Sequence, residues 1–122
     1  MSKKILVVDD SQTVRTLVSF ILKSHGFEVQ TAINGVDALE QIYRESFDLI
    51  VSDINMPKMD GLTLIKVLRL QEMYKELPII VVTTEEDEQD KEKGYQAGAN
   101  VYLIKPTDPN KLIANVQMLL SV

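Results

Sequence analysis

Short apolar runs alternate along the chain with segments whose apolar residues recur at helical spacing. Four runs are nearly continuous in hydrophobicity and rich in β-branched residues, which is typical of strands buried on both faces of a parallel sheet. A fifth run alternates apolar and polar residues, as expected of an edge strand. The continuous runs are residues 5–8, 49–51, 79–82 and 101–104, and the alternating run is 27–31.

Each of the five runs is followed by a segment that predicts a helix. The first spans about residues 11–25 and stops at Gly26, with an apolar stripe made by Val14, Leu17, Val18, Ile21 and Leu22. Segment 85–97 has few apolar positions and an acidic beginning, which predicts a weakly packed fourth helix. Five strand–helix pairs predict one α/β domain over residues 1–122, a three-layer (βα)₅ sandwich.

Composition and charge narrow the possible functions. The chain has 122 residues, of which 45% are hydrophobic, enough to fill a single core. It has no cysteine, which excludes disulfides and thiolate metal sites. Its net charge of −5 disfavours direct binding to nucleic acid. No apolar run is long enough for a membrane span or a signal peptide, so we expect a cytoplasmic protein that does not enter a membrane.

Polar residues at the carboxyl ends of the predicted strands are the candidate functional residues, because ligands of open α/β sheets bind at that edge. Asp9 and Asp10 follow the first strand, Asp53 the third, Thr83 the fourth and Lys105 the fifth. Crowded carboxylates repel one another unless a cation keeps them ionised. Carboxylate oxygens suit Mg²⁺, which phosphate oxygens commonly complete. A lysine beside such a site can bind the arriving anion.

Four motifs in this order resemble the receiver domain of two-component response regulators, of the single-domain, CheY-like chemotaxis type. They are Asp9-Asp10, segment 53–62, Thr83 and Lys105-Pro106, and the resemblance extends from Lys4 to Leu120. It implies a flavodoxin-like (CheY-like) fold whose five parallel strands are ordered 2-1-3-4-5.

The resemblance also implies roles for the acidic residues. Asp53 would be the phosphoacceptor. Asp10, Asp53 and the backbone carbonyl of Asn55 would bind Mg²⁺, and Asp9 would support the metal through water. The donor would be the phosphohistidine of a sensor histidine kinase or a small acyl phosphate.

By the same resemblance, Thr83 and Lys105 would contact the phosphoryl oxygens. Tyr102 would turn inward when Thr83 is drawn to the phosphoryl group, and the peptide before Pro106 would be cis. Thr84 departs from the family, in which a small residue is usual at this position. We therefore expect slower loss of the phosphoryl group than in a Thr84→Ala variant.

The function expected from these residues is a phosphorylation-activated switch rather than a dedicated enzyme. Its output surface would combine the fourth helix, fifth strand and fifth helix, and would bind a downstream protein such as a flagellar motor switch component. Asn55, Met56, Glu85 and Tyr102 resemble a chemotaxis regulator most, and we expect a monomer.

Several alternatives stay open from the sequence. Pilus motility or another phosphorelay would use the same architecture, and so would a receiver excised from a multidomain regulator. A Mg²⁺-dependent phosphohydrolase would share the aspartyl nucleophile, although the haloacid dehalogenase type has Asp where this chain has Asn55. A flavin-binding electron carrier ranks last, because Asp9 and Asp10 would repel the flavin phosphate.

Overall fold

The computed structural model describes residues 2–122, along which strands and helices alternate. The strands are β1 (Lys4–Val8), β2 (Glu28–Ala32), β3 (Leu49–Ser52), β4 (Ile79–Thr83) and β5 (Val101–Ile104). The helices are α1 (Gln12–Lys23), α2 (Gly35–Arg44), α3 (Gly61–Arg69), α4 (Glu88–Ala97) and α5 (Pro109–Leu120). A single 3₁₀ turn, Glu72–Tyr74, lies between α3 and β4 and had no counterpart in the predicted elements.

All five strands are parallel and lie in the order β2-β1-β3-β4-β5, which confirms the predicted fold. Val8, the last residue of β1, is level with Ser52, the last residue of β3. The next residues, Asp9 and Asp53, therefore leave the sheet side by side. This register brings together carboxylates that are 44 positions apart in the sequence.

Two apolar layers cover the sheet. One face carries α2, α3 and α4, whose buried residues pack on the side chains of Leu6, Ile50, Ile79 and Val81. The opposite face carries α1 and α5, which pack on Ile5, Leu49, Val51 and Ile80. Each large aliphatic side chain buried in this way contributes about 1.5–3 kcal/mol, so the layers hold the strand ends in fixed positions.

Most helices begin with a side-chain cap. The carboxylate of Asp60 accepts a hydrogen bond from the Thr63 amide at 2.8 Å, so Asp60 caps α3. By contrast, Asp87 before α4 makes no such bond. Helix α4 begins at Glu88, so the prediction of a helix from residue 85 was wrong by three residues. Residues 85–87 belong instead to the loop beside the strand ends.

The apolar stripe predicted for α1 is only partly buried. Val18, Ile21 and Leu22 belong to the core, whereas the side chain of Leu17 is 49% exposed. The helix ends at Lys23, and Gly26 follows with a φ of +88°, consistent with its predicted role as a stop signal. Among residues 2–122, no helix is both long enough and apolar enough to cross a membrane.

Candidate functional site

The strand ends bring three carboxylates together. Asp9, Asp10 and Asp53 each offer one oxygen, and these oxygens lie within 4.8 Å of one another. Asp9 and Asp53 are buried, whereas Asp10 is exposed at the mouth of the cluster. Carboxylates this close are costly to keep ionised without a compensating cation.

Lys105 provides a compensating positive charge from the end of β5. Its Nζ donates to Oδ2 of Asp9 at 2.8 Å and to Oδ2 of Asp53 at 3.1 Å. Burial of the ammonium opposes its charge, but the hydrogen bonds and charges of the two carboxylates outweigh burial and raise the pKa of Lys105 above its usual value. Lys105 therefore stays protonated and bridges the two buried aspartates.

The backbone after β3 fixes the direction of the Asp53 side chain. Its Oδ1 accepts a hydrogen bond from the Ile54 amide at 2.7 Å, while its own amide donates to Val8 at 2.9 Å. The loop then returns so closely that a Cβ on Gly61 would lie 2.1 Å from the Asp53 carbonyl oxygen. A residue other than glycine cannot occupy position 61 unless the loop moves away from Asp53.

Asp9 is held by more partners than the sequence indicated. Its amide donates to Ala32 at 3.1 Å, and its Oδ1 accepts from the Ser11 amide at 2.9 Å. Its backbone carbonyl accepts from Nη1 of Arg15 at 2.7 Å. Sequence analysis missed Arg15, although a cation one turn into the helix after an acidic pair was a signal that could have identified it.

Glu85 connects the predicted switch residues. Its amide donates to Oγ1 of the fully buried Thr83 at 3.3 Å, and its backbone carbonyl accepts from the hydroxyl of Tyr102 at 2.7 Å. Its side-chain Oε1 accepts from Nδ2 of Asn55 at 2.5 Å. Three groups of one residue therefore contact three residues that sequence analysis placed in the site.

The Tyr102 side chain points inward, with 7% of the residue exposed. Burial, with the negative charges of Asp90, Glu85 and Asp53, raises the pKa of the Tyr102 phenol to about 12. Gly94 of α4 makes room for the ring, since a Cβ there would lie 2.7 Å from Cδ2 of Tyr102. The inward position therefore depends on a glycine in α4.

The segment around Lys105 continues the sheet edge. The Lys105 amide donates to the Thr83 carbonyl at 2.8 Å, and the peptide between Lys105 and Pro106 is cis, as the resemblance implied. Thr84, beside Thr83, is exposed. Its side chain is therefore available at the surface next to the site.

The acidic cluster has the chemistry of a site for a hard divalent cation. Its donors are oxygens, and Asp10 keeps its carboxylate free of hydrogen bonds from any side chain or amide in residues 2–122. The backbone carbonyl of Asn55, two residues after Asp53, is a further oxygen on the same loop. Oxygen ligands of this kind favour Mg²⁺ over softer metals.

The chain is similar to known proteins over nearly its whole length. A family model for the response regulator receiver domain matches residues 5–117. The chain is 41% identical over 120 residues to the alkaline phosphatase synthesis transcriptional regulatory protein PhoP of Bacillus subtilis (strain 168), a match covering 98% of this chain and 49% of PhoP. The chain thus spans about half the length of that curated relative.

Solved structures show the same fold. The chemotaxis protein CheY4 of Vibrio cholerae is 41% identical with a TM-score of 0.92, over 98% of this chain and 100% of that one. The receiver domain of sensor histidine kinase PA1611 from Pseudomonas aeruginosa PAO1 is 30% identical with a TM-score of 0.91, over 100% of both chains, and has a magnesium ion coordinated in its active site cleft. Because the family match includes all the strand ends described above, the chain belongs to the response regulator receiver domains of two-component, phosphorylation-type signalling.

Proposed function

We propose that this chain is a phosphorylation-activated switch in which Asp53 accepts the phosphoryl group. The observation that supports this most directly is the position of the Asp53 carboxylate. It lies at the sheet edge, clustered with two further aspartates and bonded to the ammonium of Lys105. Asp9, Asp10, Asp53 and the carbonyl of Asn55 would hold Mg²⁺, which neutralises charge on phosphoryl oxygens when it is bound.

In the proposed reaction, an oxygen of Asp53 attacks the phosphorus of a phosphohistidine on a sensor histidine kinase. A phosphorus–oxygen bond forms as the phosphorus–nitrogen bond breaks, and the leaving imidazole takes the electron pair and then a proton. Lys105 would exchange its contact with Asp53 for one with a phosphoryl oxygen. Its positive charge would then stabilise the negative charge on the phosphoryl group during transfer. Hydrolysis of the resulting acyl phosphate would restore Asp53.

The response to phosphorylation would pass through Thr83 and Tyr102. In this structure the Thr83 hydroxyl accepts from the Glu85 amide, and the Tyr102 hydroxyl donates to the Glu85 carbonyl. If Thr83 moves to donate to a phosphoryl oxygen, its bond to the Glu85 amide would break unless the loop that carries Glu85 moved as well. That loop leads into α4, so either change would release or shift the start of α4 and reach the surface formed by α4, β5 and α5.

We further propose that this surface binds a downstream protein in chemotaxis or motility, such as a flagellar motor switch component. Similarity to CheY4 supports this assignment. Similarity to PhoP over 49% of its length supports the alternative, a receiver from a longer transcriptional regulator. In either case the chain would be a self-catalysing phosphoacceptor and not a dedicated enzyme. Asn55 at the second position after Asp53 argues against the phosphohydrolase alternative.

Labelling with acetyl phosphate and Mg²⁺ tests the assignment of Asp53. Intact mass spectrometry should show one added phosphoryl group on the wild type and none on Asp53→Asn. The matched control is Asp60→Asn, which changes an exposed cap at the end of the same loop and should be labelled like the wild type. Labelling of Asp53→Asn at another residue would refute the assignment, and steady turnover of phosphomonoesters would favour a phosphohydrolase.

A further inference from the structure

Within residues 2–122, Arg15 is the one basic side chain besides Lys105 that bonds to Asp9. It lies in the first turn of α1, and its Nη1 donates to the Asp9 backbone oxygen at 2.7 Å. The residue is half-buried, so this bond is partly shielded from water. If the Arg15 side chain were removed, the Asp9 carbonyl would lose a hydrogen-bond donor. Water could not readily replace that donor, because Asp9 is only 3% exposed.

The position of Asp10 depends on the peptide that this bond holds. The Asp9 carbonyl and the Asp10 Cα belong to the same planar peptide unit, so fixing the oxygen also fixes the direction in which Asp10 leaves the strand. Within residues 2–122, the Asp10 carboxylate accepts no hydrogen bond that could orient it separately. Nevertheless, one of its oxygens lies within 4.8 Å of oxygens of Asp9 and Asp53.

We infer that Arg15 is a positioning residue for the cation site: its bond to the Asp9 carbonyl orients the Asp10 carboxylate toward Asp53. This inference rests on the proposed function, because it concerns the affinity of the same cluster for Mg²⁺. Arg15 does not touch the cation in this proposal. It acts only through the Asp9–Asp10 peptide.

Charge alone predicts the opposite effect of removing Arg15. A guanidinium near the cluster repels an incoming divalent cation, so Arg15→Met would strengthen Mg²⁺ binding if the residue acted only through its charge. If Arg15 positions Asp10, the same substitution weakens binding, because one carboxylate loses its orientation. The sign of the change therefore distinguishes the two roles.

The test is the Mg²⁺ dissociation constant of the unphosphorylated protein, measured by isothermal titration calorimetry for the wild type, Arg15→Met and Arg15→Lys. Loss of a supporting contact typically weakens metal binding by about 10- to 100-fold, and we expect Arg15→Met to weaken it by about tenfold. Arg15→Lys keeps the positive charge and a hydrogen-bond donor on a long side chain, so we expect it to recover part of the Mg²⁺ affinity that Arg15→Met loses. Lys23→Met is the matched control, since it removes one positive charge at the far end of α1 and should change binding by less than about twofold.

Urea unfolding of each variant in the absence of Mg²⁺ shows that the comparison is made between folded proteins. If Arg15→Met does not fold, Arg15→Lys carries the test, and weaker binding than in the wild type is expected. Binding by the substituted protein that is equal to or tighter than wild-type binding would overturn the inference while leaving the proposed metal site intact. A wild-type protein that binds no Mg²⁺ would overturn the proposed metal site and this inference together.

Discussion

The ammonium of Lys105 lies 3.1 Å from Oδ2 of Asp53 and also bonds to Asp9, so one cation joins two buried carboxylates that leave neighbouring strands. Breaking such an arrangement on one side leaves uncompensated charge in a buried position. The bridge therefore stabilises the unphosphorylated site, and the same lysine is available when negative charge arrives on a phosphoryl group.

Lys105→Met should slow labelling of the protein by acetyl phosphate by about 10²-fold, because the transferring oxygens lose a positioned positive charge. Affinity for Mg²⁺ should hold or rise, since a competing cation has left the cluster. Lys93→Met, a change at an exposed position of α4, is the control and should label at the wild-type rate. An unchanged labelling rate in Lys105→Met would contradict the proposed role.

Tyr102 should ionise only near pH 12 in an alkaline titration. Its pKa is raised from 10.0 to about 12 because burial and nearby carboxylates disfavour the phenolate. Below pH 10, Tyr102 is neutral in both the folded and the unfolded protein, so its contribution to the free energy of unfolding is fully present. That contribution is lost as pH rises through 10 toward about 12, because the unfolded protein ionises first. Tyrosinate absorbance of wild type and Tyr102→Phe measures the ionisation of Tyr102, and Tyr102→Phe should lack the step near pH 12. A step near pH 12 that persists unchanged in Tyr102→Phe would contradict the assignment.

Gly94→Ala should destabilise the protein, although alanine normally favours a helix by about 1 kcal/mol. The new Cβ would lie 2.7 Å from the Tyr102 ring, so the ring or α4 must shift, at a cost of about 1–3 kcal/mol. Urea unfolding measures the change. In a Tyr102→Ala background the clash is absent, and Gly94→Ala should then be neutral or stabilising. An equal cost in both backgrounds would show that the ring is not the cause.

Thr84→Ala should shorten the lifetime of the phosphorylated protein. The exposed, β-branched Thr84 follows Thr83 directly, and we expect its side chain to narrow the approach of water to the phosphoryl group. Following the decay of phosphorylated protein after removal of the donor measures the effect. Thr107→Ala, a threonine in the loop after β5, is the control and should decay like the wild type. Equal decay of wild type and Thr84→Ala would remove the steric argument.

The buried strands could be predicted because the residues that mark each of them are adjacent in the sequence. Runs of β-branched residues indicate a covered parallel strand, and no observed strand end differs from its predicted position by more than one residue. Their order could not be derived in this way, because periodicity carries no information about which strands are neighbours. It came from the resemblance to a family. The convergence of Asp9 and Asp53 follows from that order and from the register of β1 with β3.

What the sequence did not predict depends on contacts between distant residues. Leu17 has the right spacing for a buried stripe, but the core covers only part of the apolar stripe of α1 and leaves Leu17 exposed. Arg69 is the last residue of α3, and its guanidinium donates to the carbonyls of Gly98 and Tyr74. Arg15 was missed because its partner is a backbone oxygen, and only its place one turn into the helix after the acidic pair could have indicated its role.

The contacts of Glu85 have a consequence for mutational scanning of this loop. Two of its three links, to Thr83 and to Tyr102, are made by the peptide backbone and are common to every amino acid that keeps an amide hydrogen. Only the link to Asn55 belongs to the side chain. Ordinary substitutions at this position therefore report on one link, and proline alone, which has no amide hydrogen, would remove the bond to Thr83. Glu85 would therefore score as tolerant of substitution in such a scan, although its main chain is hydrogen-bonded to both switch side chains, Thr83 and Tyr102.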